Sequence, residues 1–294
     1  MKKALIYVVL GLLVSLNLWA QDETAPQPKV KDKPVRFAWE SGMLIDNQTS
    51  YIPTVKTLEL VIQHKFGDIS NGHSDLWGIY APSNNIRLGV NYVVANNVQV
   101  GWGISKKNMC NDFNAKWTIL EQTRNNTVPV FVTVYGNLAL DGRSDETFGT
   151  AYEFSDRISY FSQLIVGRKV TDWLSVQGAV SFAHANSAPA EHDHDRIGLH
   201  VNGRIKVRPQ GSIICTYDAP LKIDKISEQR PEWDNHPKPG LTFGYEVSTS
   251  THAFQIFMGN STGLVPQDNL MNNFNKIDKD NFAIGFTITR LWSF

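Results

Sequence analysis

The side chains best equipped for chemistry cluster in "EHDHD", Glu191 to Asp195. His192 and His194 share one parity there, and imidazole beside carboxylate is a donor set for zinc, copper or nickel on a surface loop. His184 upstream is a conceivable third ligand, yet the spacing matches no established metal motif, so a solvated loop tip stands beside the metal reading. A second group, His64, His73, Ser74 and Asp75, has the residue types of a serine hydrolase, but adjacency along a chain does not create a triad. A third run, Arg204, Lys206 and Arg208, puts three cations on one face of one segment. It either forms a cationic strip that attracts anions in a wet lumen or pairs with Glu59 and Glu246 across a filled one.

The elements that must position these groups are strands. In "RLGVNYVVANNVQVGWGIS", residues 87 to 105, Leu88, Val90, Tyr92, Val100, Trp102 and Ile104 share one face, while Arg87, Asn91, Gln99 and Ser105 take the other. A period of two residues is the mark of a strand with one greasy and one wet side. The pattern recurs to the end of the chain and predicts twelve strands, at 54–67, 84–94, 97–106, 111–123, 128–140, 155–168, 173–185, 195–208, 211–218, 239–249, 252–260 and 279–294. No window shows a convincing helical period. The chain reads as all-β.

The connections decide which way the greasy side points. Short links ("VANN", "RNNT", "KVTD", "PQ", "STST") alternate with long ones, and only the link near "KNMCN" breaks the rule. In an up-and-down barrel every second turn lies on the same rim, so the tight turns gather on one side and the long loops on the other. The pattern predicts a transmembrane antiparallel β-barrel of about twelve strands, with apolar side chains on hydrocarbon and none in the centre. The wet parity then lines the lumen: Glu59, Gln63, Arg87, Asn91, Gln99, Lys116, Asn202, Arg204, Lys206 and Glu246. Tyr92, Trp102, Trp117, Tyr160, Tyr245 and Trp292 fall on the outward parity, as aromatic girdles do.

The ends of the chain agree with export. Residues 1–20, "MKKALIYVVLGLLVSLNLWA", carry Lys2 and Lys3, an apolar stretch and then Ala20, which is the form of a cleavable secretory signal peptide. Residues 21–50 read as a periplasmic lead-in or plug segment, and 51–294 as the barrel. The chain closes on "NFAIGFTITRLWSF", whose terminal Phe294 with Trp292 two positions earlier resembles the signal by which outer-membrane barrels are recognised for insertion. That resemblance implies the barrel assembly machinery as a partner. Arg290 shares the outward parity and belongs near the interface, where charge costs less than at mid-membrane.

The run from "ESGMLIDNQTS" through "LELVIQHKFGDISNG" to "NIRLGVNYVVANNVQVGWG" resembles a family of exported Gram-negative β-barrel proteins catalogued as a domain of unknown function and common in Bacteroidota. The resemblance implies an outer-membrane barrel and supplies no substrate.

Balanced charge, 28 Lys and Arg against 28 Asp and Glu, gives no electrostatic case for nucleic acid. Two cysteines, Cys110 and Cys215, are too few for a disulfide scaffold; two free thiols are expected, with a single bridge between them as the alternative. No cofactor is expected. These observations predict a non-enzymatic barrel in contact with outer-membrane lipid, acting as a channel or transport-related protein for small hydrophilic solutes. The alternative is a closed barrel serving as a structural or partner-binding platform, and an outer-membrane hydrolase ranks third because no motif resembles a known one.

Overall fold

A computed structural model describes residues 32–36, 38–228 and 235–294. The predicted signal peptide, 1–20, and the lead-in up to residue 31 lie outside the described residues. Two strands, β1 (Met43–Leu44) and β2 (Asn47–Gln48), form a small hairpin. The next twelve close a barrel: β3 (Thr57–Asp68), β4 (Asn85–Ala95), β5 (Val98–Ser105), β6 (Asn111–Leu120), β7 (Phe131–Leu140) and β8 (Ile158–Lys169), then β9 (Leu174–Ala185), β10 (Asp195–Lys206), β11 (Gly211–Pro220), β12 (Gly240–Ser248), β13 (His252–Gly259) and β14 (Ala283–Ser293). Each strand pairs antiparallel with its sequence neighbour, and β14 closes on β3 through pairs such as Phe286 with His64. Closure leaves no edge strand, so the backbone of each wall strand pairs on both sides, with bulges at Val93–Ala95, Thr118–Leu120 and Ala283–Gly285.

Exposure follows the parity expected of lipid-facing strands. Leu88, Val100 and Val201 are 43%, 41% and 61% exposed, whereas their strand neighbours Arg87, Gln99 and Asn202 are buried. A soluble barrel would show the inverse. Tyr92, Trp117, Tyr245 and Trp292 fall toward the short-turn ends of their strands and Tyr160 near a long-loop end, with Trp102 between. Arg290 is exposed near the short-turn rim, with its guanidinium 4.7 Å from the Trp292 ring, an arrangement that eases a charge at an interface.

The rims also sort as expected. Links 96–97, 170–173, 207–210 and 249–251 share one rim, and 69–84, 141–157, 186–194, 221–239 and 260–282 share the other. The expected tight turn at "RNNT" is instead the ten-residue stretch 121–130, because the entering N-terminal segment pairs with it. Val35 N–H donates to the Gln122 carbonyl at 2.8 Å and Arg124 N–H to that of Lys33 at 2.9 Å.

Two features correct the sequence reading. A short helix, α1 (Pro266–Met271), lies in the last long loop; six residues are too few to show a period, though Pro266 at its first turn marks the start. The centre of the barrel is also not free of apolar side chains. Trp39, Leu44 and Ile45 pack there on Phe131, Ile214 and Phe257, and Leu270 and Met271 pack on Tyr135, Phe161 and Ala183. The wall residues of both clusters face inward on the otherwise wet parity. They are compatible with that face because segments from outside the wall cover them.

Candidate functional site

The candidate site is the lumen, and its contents arrive from both rims. From the short-turn rim, residues 38–50 rise inside the wall, turn at Ile45 and Asp46 between β1 and β2, and return to Lys56, whose N–H meets the Val93 carbonyl at 3.0 Å. The first turn residue of such a two-residue hairpin needs positive φ and favours glycine. Here it is Ile45 at φ 60°, a strained conformation for a β-branched side chain. The surroundings hold it: Ile45 is 0% exposed, and its N–H donates to Gln255 Oε1 at 2.8 Å.

Polar wall groups grip this hairpin around its circumference. Lys116 Nζ donates to the Gly42 carbonyl at 3.0 Å, Gln177 Nε2 to the Gln48 carbonyl at 2.6 Å, Thr118 Oγ1 to the Ser50 carbonyl at 2.8 Å and Gln255 Nε2 to the Met43 carbonyl at 3.0 Å. Arg204 spans Glu246 on the wall, at 2.8 Å, and Glu40 on the hairpin, at 3.1 Å. Gly42 is the tight point. A Cβ there would lie 3.1 Å from Lys116 Nζ and 3.2 Å from Glu59 Oε1.

From the long-loop rim, α1 closes the other half. Gln267 Nε2 donates to Asn137 Oδ1 at 2.8 Å, and Asn137 donates to Asp112 at 3.0 Å. Asp112 in turn takes two bonds from Arg87, at 2.7 and 2.6 Å, and Arg87 reaches Gln63 at 3.1 Å. Buried ions survive in a low dielectric only with such partners. The two plugs meet at Lys65, whose Nζ lies 2.5 Å from Asp46 at the hairpin tip and 2.7 Å from the Gly263 carbonyl of the loop. Cavities remain at the rims. One of about 570 Å³ at the short-turn end is lined by Arg36, Arg124, Arg168 and Lys169. The other, about 770 Å³ at the long-loop end, is lined by Lys107, Arg143, Phe148, Arg157, Met271 and Phe274.

The residues expected in the lumen are placed there unevenly. Glu59, Gln63, Arg87, Gln99, Lys116, Asn202, Arg204 and Glu246 are buried inside. Asn91 is half-buried and donates to Glu59 at 2.9 Å, as Gln99 also does. Lys206 is half-buried at the end of β10, and Arg208 lies exposed in the following turn, so the three cations do not act as one strip. Of the two acids named for them, Glu246 pairs with Arg204, whereas Glu59 sits with Asn91 and Gln99.

His192 and His194 are not drawn together as ligands. His192 packs on Phe274 with ring centroids 4.9 Å apart, His194 Nδ1 bonds the Ala185 carbonyl at 2.7 Å, and His184 holds Asp195 at 2.8 Å. Among the described residues no group of three or more His, Cys, Asp or Glu could hold a metal. His64 stacks on Phe286 and His73 on Trp77, while Ser74 Oγ donates to the Asn71 carbonyl and Asp75 accepts from Asn71 Nδ2 and the Gly78 N–H, so the four are not arranged as a triad. Cys110 and Cys215 are free thiols, and burial pushes Cys110 up to about 12, leaving it protonated at neutral pH. Sequence reasoning missed the contacts made by Trp39, Leu44, Ile45, Gln267 and Leu270, since no periodicity announces a segment folded back inside a wall.

Fold and lumen together define a membrane β-barrel carrying its own plug. The chain matches the Membrane bound beta barrel domain (DUF5777) over residues 39–292 and belongs to that family. The matched span takes in the plug hairpin as well as the wall. No curated protein matches the chain. Among solved structures, a NanC porin shares the fold with a TM-score of 0.50 at 8% identity, over 81% of this chain and 99% of that one. An outer-membrane channel from Pseudomonas putida F1 gives 0.47 at 12%, over 82% and 97%, and KdgM porin 0.44 at 10%, over 81% and 99%.

Proposed function

We propose that the protein is an outer-membrane channel for small hydrophilic solutes that stands closed and conducts only when the 38–50 hairpin leaves the lumen and the loop carrying α1 clears the opposite rim. The observation that carries this reading is the route of the hairpin. Both its ends lie at the short-turn rim while its tip reaches Lys65 inside, so it can withdraw toward one rim without threading through the wall. The wall it would uncover is polar enough to wet: Glu59, Lys116, Thr118, Gln177, Arg204 and Gln255 all meet it.

Withdrawal is uphill. Returning Trp39, Leu44 and Ile45 to water costs about 1.5–3 kcal/mol each, roughly 5–9 kcal/mol together, which holds the open state to about one part in 10³ or fewer. That same apolar contact favours a second reading, a permanently closed platform that works through its long loops. Planar-bilayer recordings on the full chain and on a Trp39→Ala, Leu44→Ala, Ile45→Ala variant separate the two. The channel reading expects rare openings that become frequent in the variant. Silence in both, with the barrel shown folded by heat-modifiable migration, removes it.

A further inference from the structure

Inside the wall, three adjacent strands bring together a serine, a histidine and an aspartate in the order that acyl-transfer chemistry uses. Ser181 on β9 lies 2.7 Å through its Oγ from His200 Nε2 on β10, and His200 Nδ1 lies 2.6 Å from Asp218 Oδ1 on β11. The histidine thus has one nitrogen on a hydroxyl and the other on a carboxylate, which fixes its tautomer with Nδ1 protonated and Nε2 free to accept the serine proton. Ser181 and His200 are buried. Asn47 of the plug hairpin donates to the same Asp218 oxygen at 2.8 Å and holds the acid in place.

We propose that Ser181, His200 and Asp218 form a nucleophilic site for carboxylic esters with an apolar acyl group, roofed by α1. Three further observations point to a ligand. Gly198 faces Ser181 across the β9–β10 ladder, and a Cβ there would come within 3.0 Å of Ser181 Oγ, 3.1 Å of His200 Nε2 and 2.5 Å of Leu270 Cδ1. The bare glycine therefore leaves room at the nucleophile, and Leu270 occupies it. The surrounding side chains, Tyr135, Phe161, Ala183 and Met271, are apolar and suit an acyl chain in the place Leu270 now takes. Arg196, one diagonal step from Ser181 on the same face, is buried; its Nη2 bonds Asp193 at 2.7 Å, and its Nε–H is left unpartnered.

The reaction balances with water as co-reactant. Ser181 Oγ bonds to the ester carbonyl carbon while its proton moves to His200 Nε2. The bond from that carbon to the alkoxy oxygen then breaks, and the alcohol leaves with the proton. Water adds to the acyl-serine carbon, gives a proton to Nε2, and the carboxylic acid departs as the proton returns to Oγ.

The test is covalent labelling of the full chain in detergent with a fluorophosphonate, in which Ser181 Oγ would displace fluoride from phosphorus, together with turnover of p-nitrophenyl butyrate. Labelling is expected to map to Ser181, to vanish in Ser181→Ala, and to slow about 10²-fold or more in His200→Gln as the general base is lost. Leu270→Ala, which removes the roof side chain, should speed labelling on the order of tenfold or more. The proposal falls if neither the parent chain nor folded Leu270→Ala labels at Ser181. It falls equally if labelling there is indifferent to His200→Gln, since that marks a merely exposed hydroxyl.

Discussion

Replacing Ile45 tests how the plug is held. Ile45→Ala removes most of a side chain that is 0% exposed and packed among Trp39, Leu44, Phe131, Ile214 and Phe257, a change that costs about 2–5 kcal/mol. The alanine keeps the backbone at φ 60°, so the turn strain persists. Ile45→Gly loses the same packing but relieves that strain, about 1–3 kcal/mol. Glycine should therefore disturb the plug less than alanine, by about 1 kcal/mol or more, the reverse of their usual order in regular structure.

Hydrogen exchange reads the difference directly, because protection of an amide broken only by hairpin release scales with the opening equilibrium. The Ile45 position and Thr49, whose N–H bonds the Gly42 carbonyl at 3.0 Å, report the hairpin, while Val201 and its neighbours report the wall. Alanine should lower hairpin protection about 30-fold or more, at 1.4 kcal/mol per tenfold, with wall protection unchanged. Glycine should fall between alanine and the parent. Equal protection in all three chains, or glycine worse than alanine, refutes the account of a strained turn clamped by burial.

Asp46→Ala leaves the buried Lys65 ammonium without its acid, which should weaken the plug by about 3–5 kcal/mol, softened by the bond to Gly263; adding Lys65→Met should recover most of the loss in the same exchange assay. Gly42→Leu cannot fit between Lys116 and Glu59 and should raise opening frequency in bilayers, while Gly42→Ala needs only a small shift and should stay closed. On the outer face, Val201→Arg at mid-strand should cost about 2–4 kcal/mol in urea titrations of folding into vesicles, because a charge there meets hydrocarbon. In the loop 221–239, burial and then the nearby Arg196 hold His236 below its ordinary value of 6.5. The chain packed around His236 therefore binds fewer protons than it does when that packing opens: the contribution is present above that ordinary value and lost as pH falls through the depressed one. Protection of the amides around His236, corrected for the intrinsic pH dependence of exchange, should fall as the pH is lowered below that ordinary value in the parent chain and stay unchanged in His236→Gln.

The wall was legible residue by residue. Strict alternation in 87–105 and 195–208 assigns each side chain to a face, and the sorting of short and long links assigns the turns to their rims except near "KNMCN" and "RNNT"; both signals are local, so they survive without coordinates. Parity put Glu59, Arg87, Lys116 and Glu246 on the wet face of their strands, and all four side chains are buried. Parity could not say what those side chains touch. Ile45 meets Gln255 and Met43 meets the same residue across more than two hundred positions of chain, and Leu270 closes over Ser181 from another loop; no spacing rule connects such partners.

The sequence by itself determined a closed, lipid-facing wall, because its period of two and its turn lengths are set by neighbours along the chain. Only the tertiary structure decided that the lumen is filled. It also decided that Ser181, His200 and Asp218 align, since strand register sets which inward side chains meet, and a slip of one residue would turn His200 to lipid.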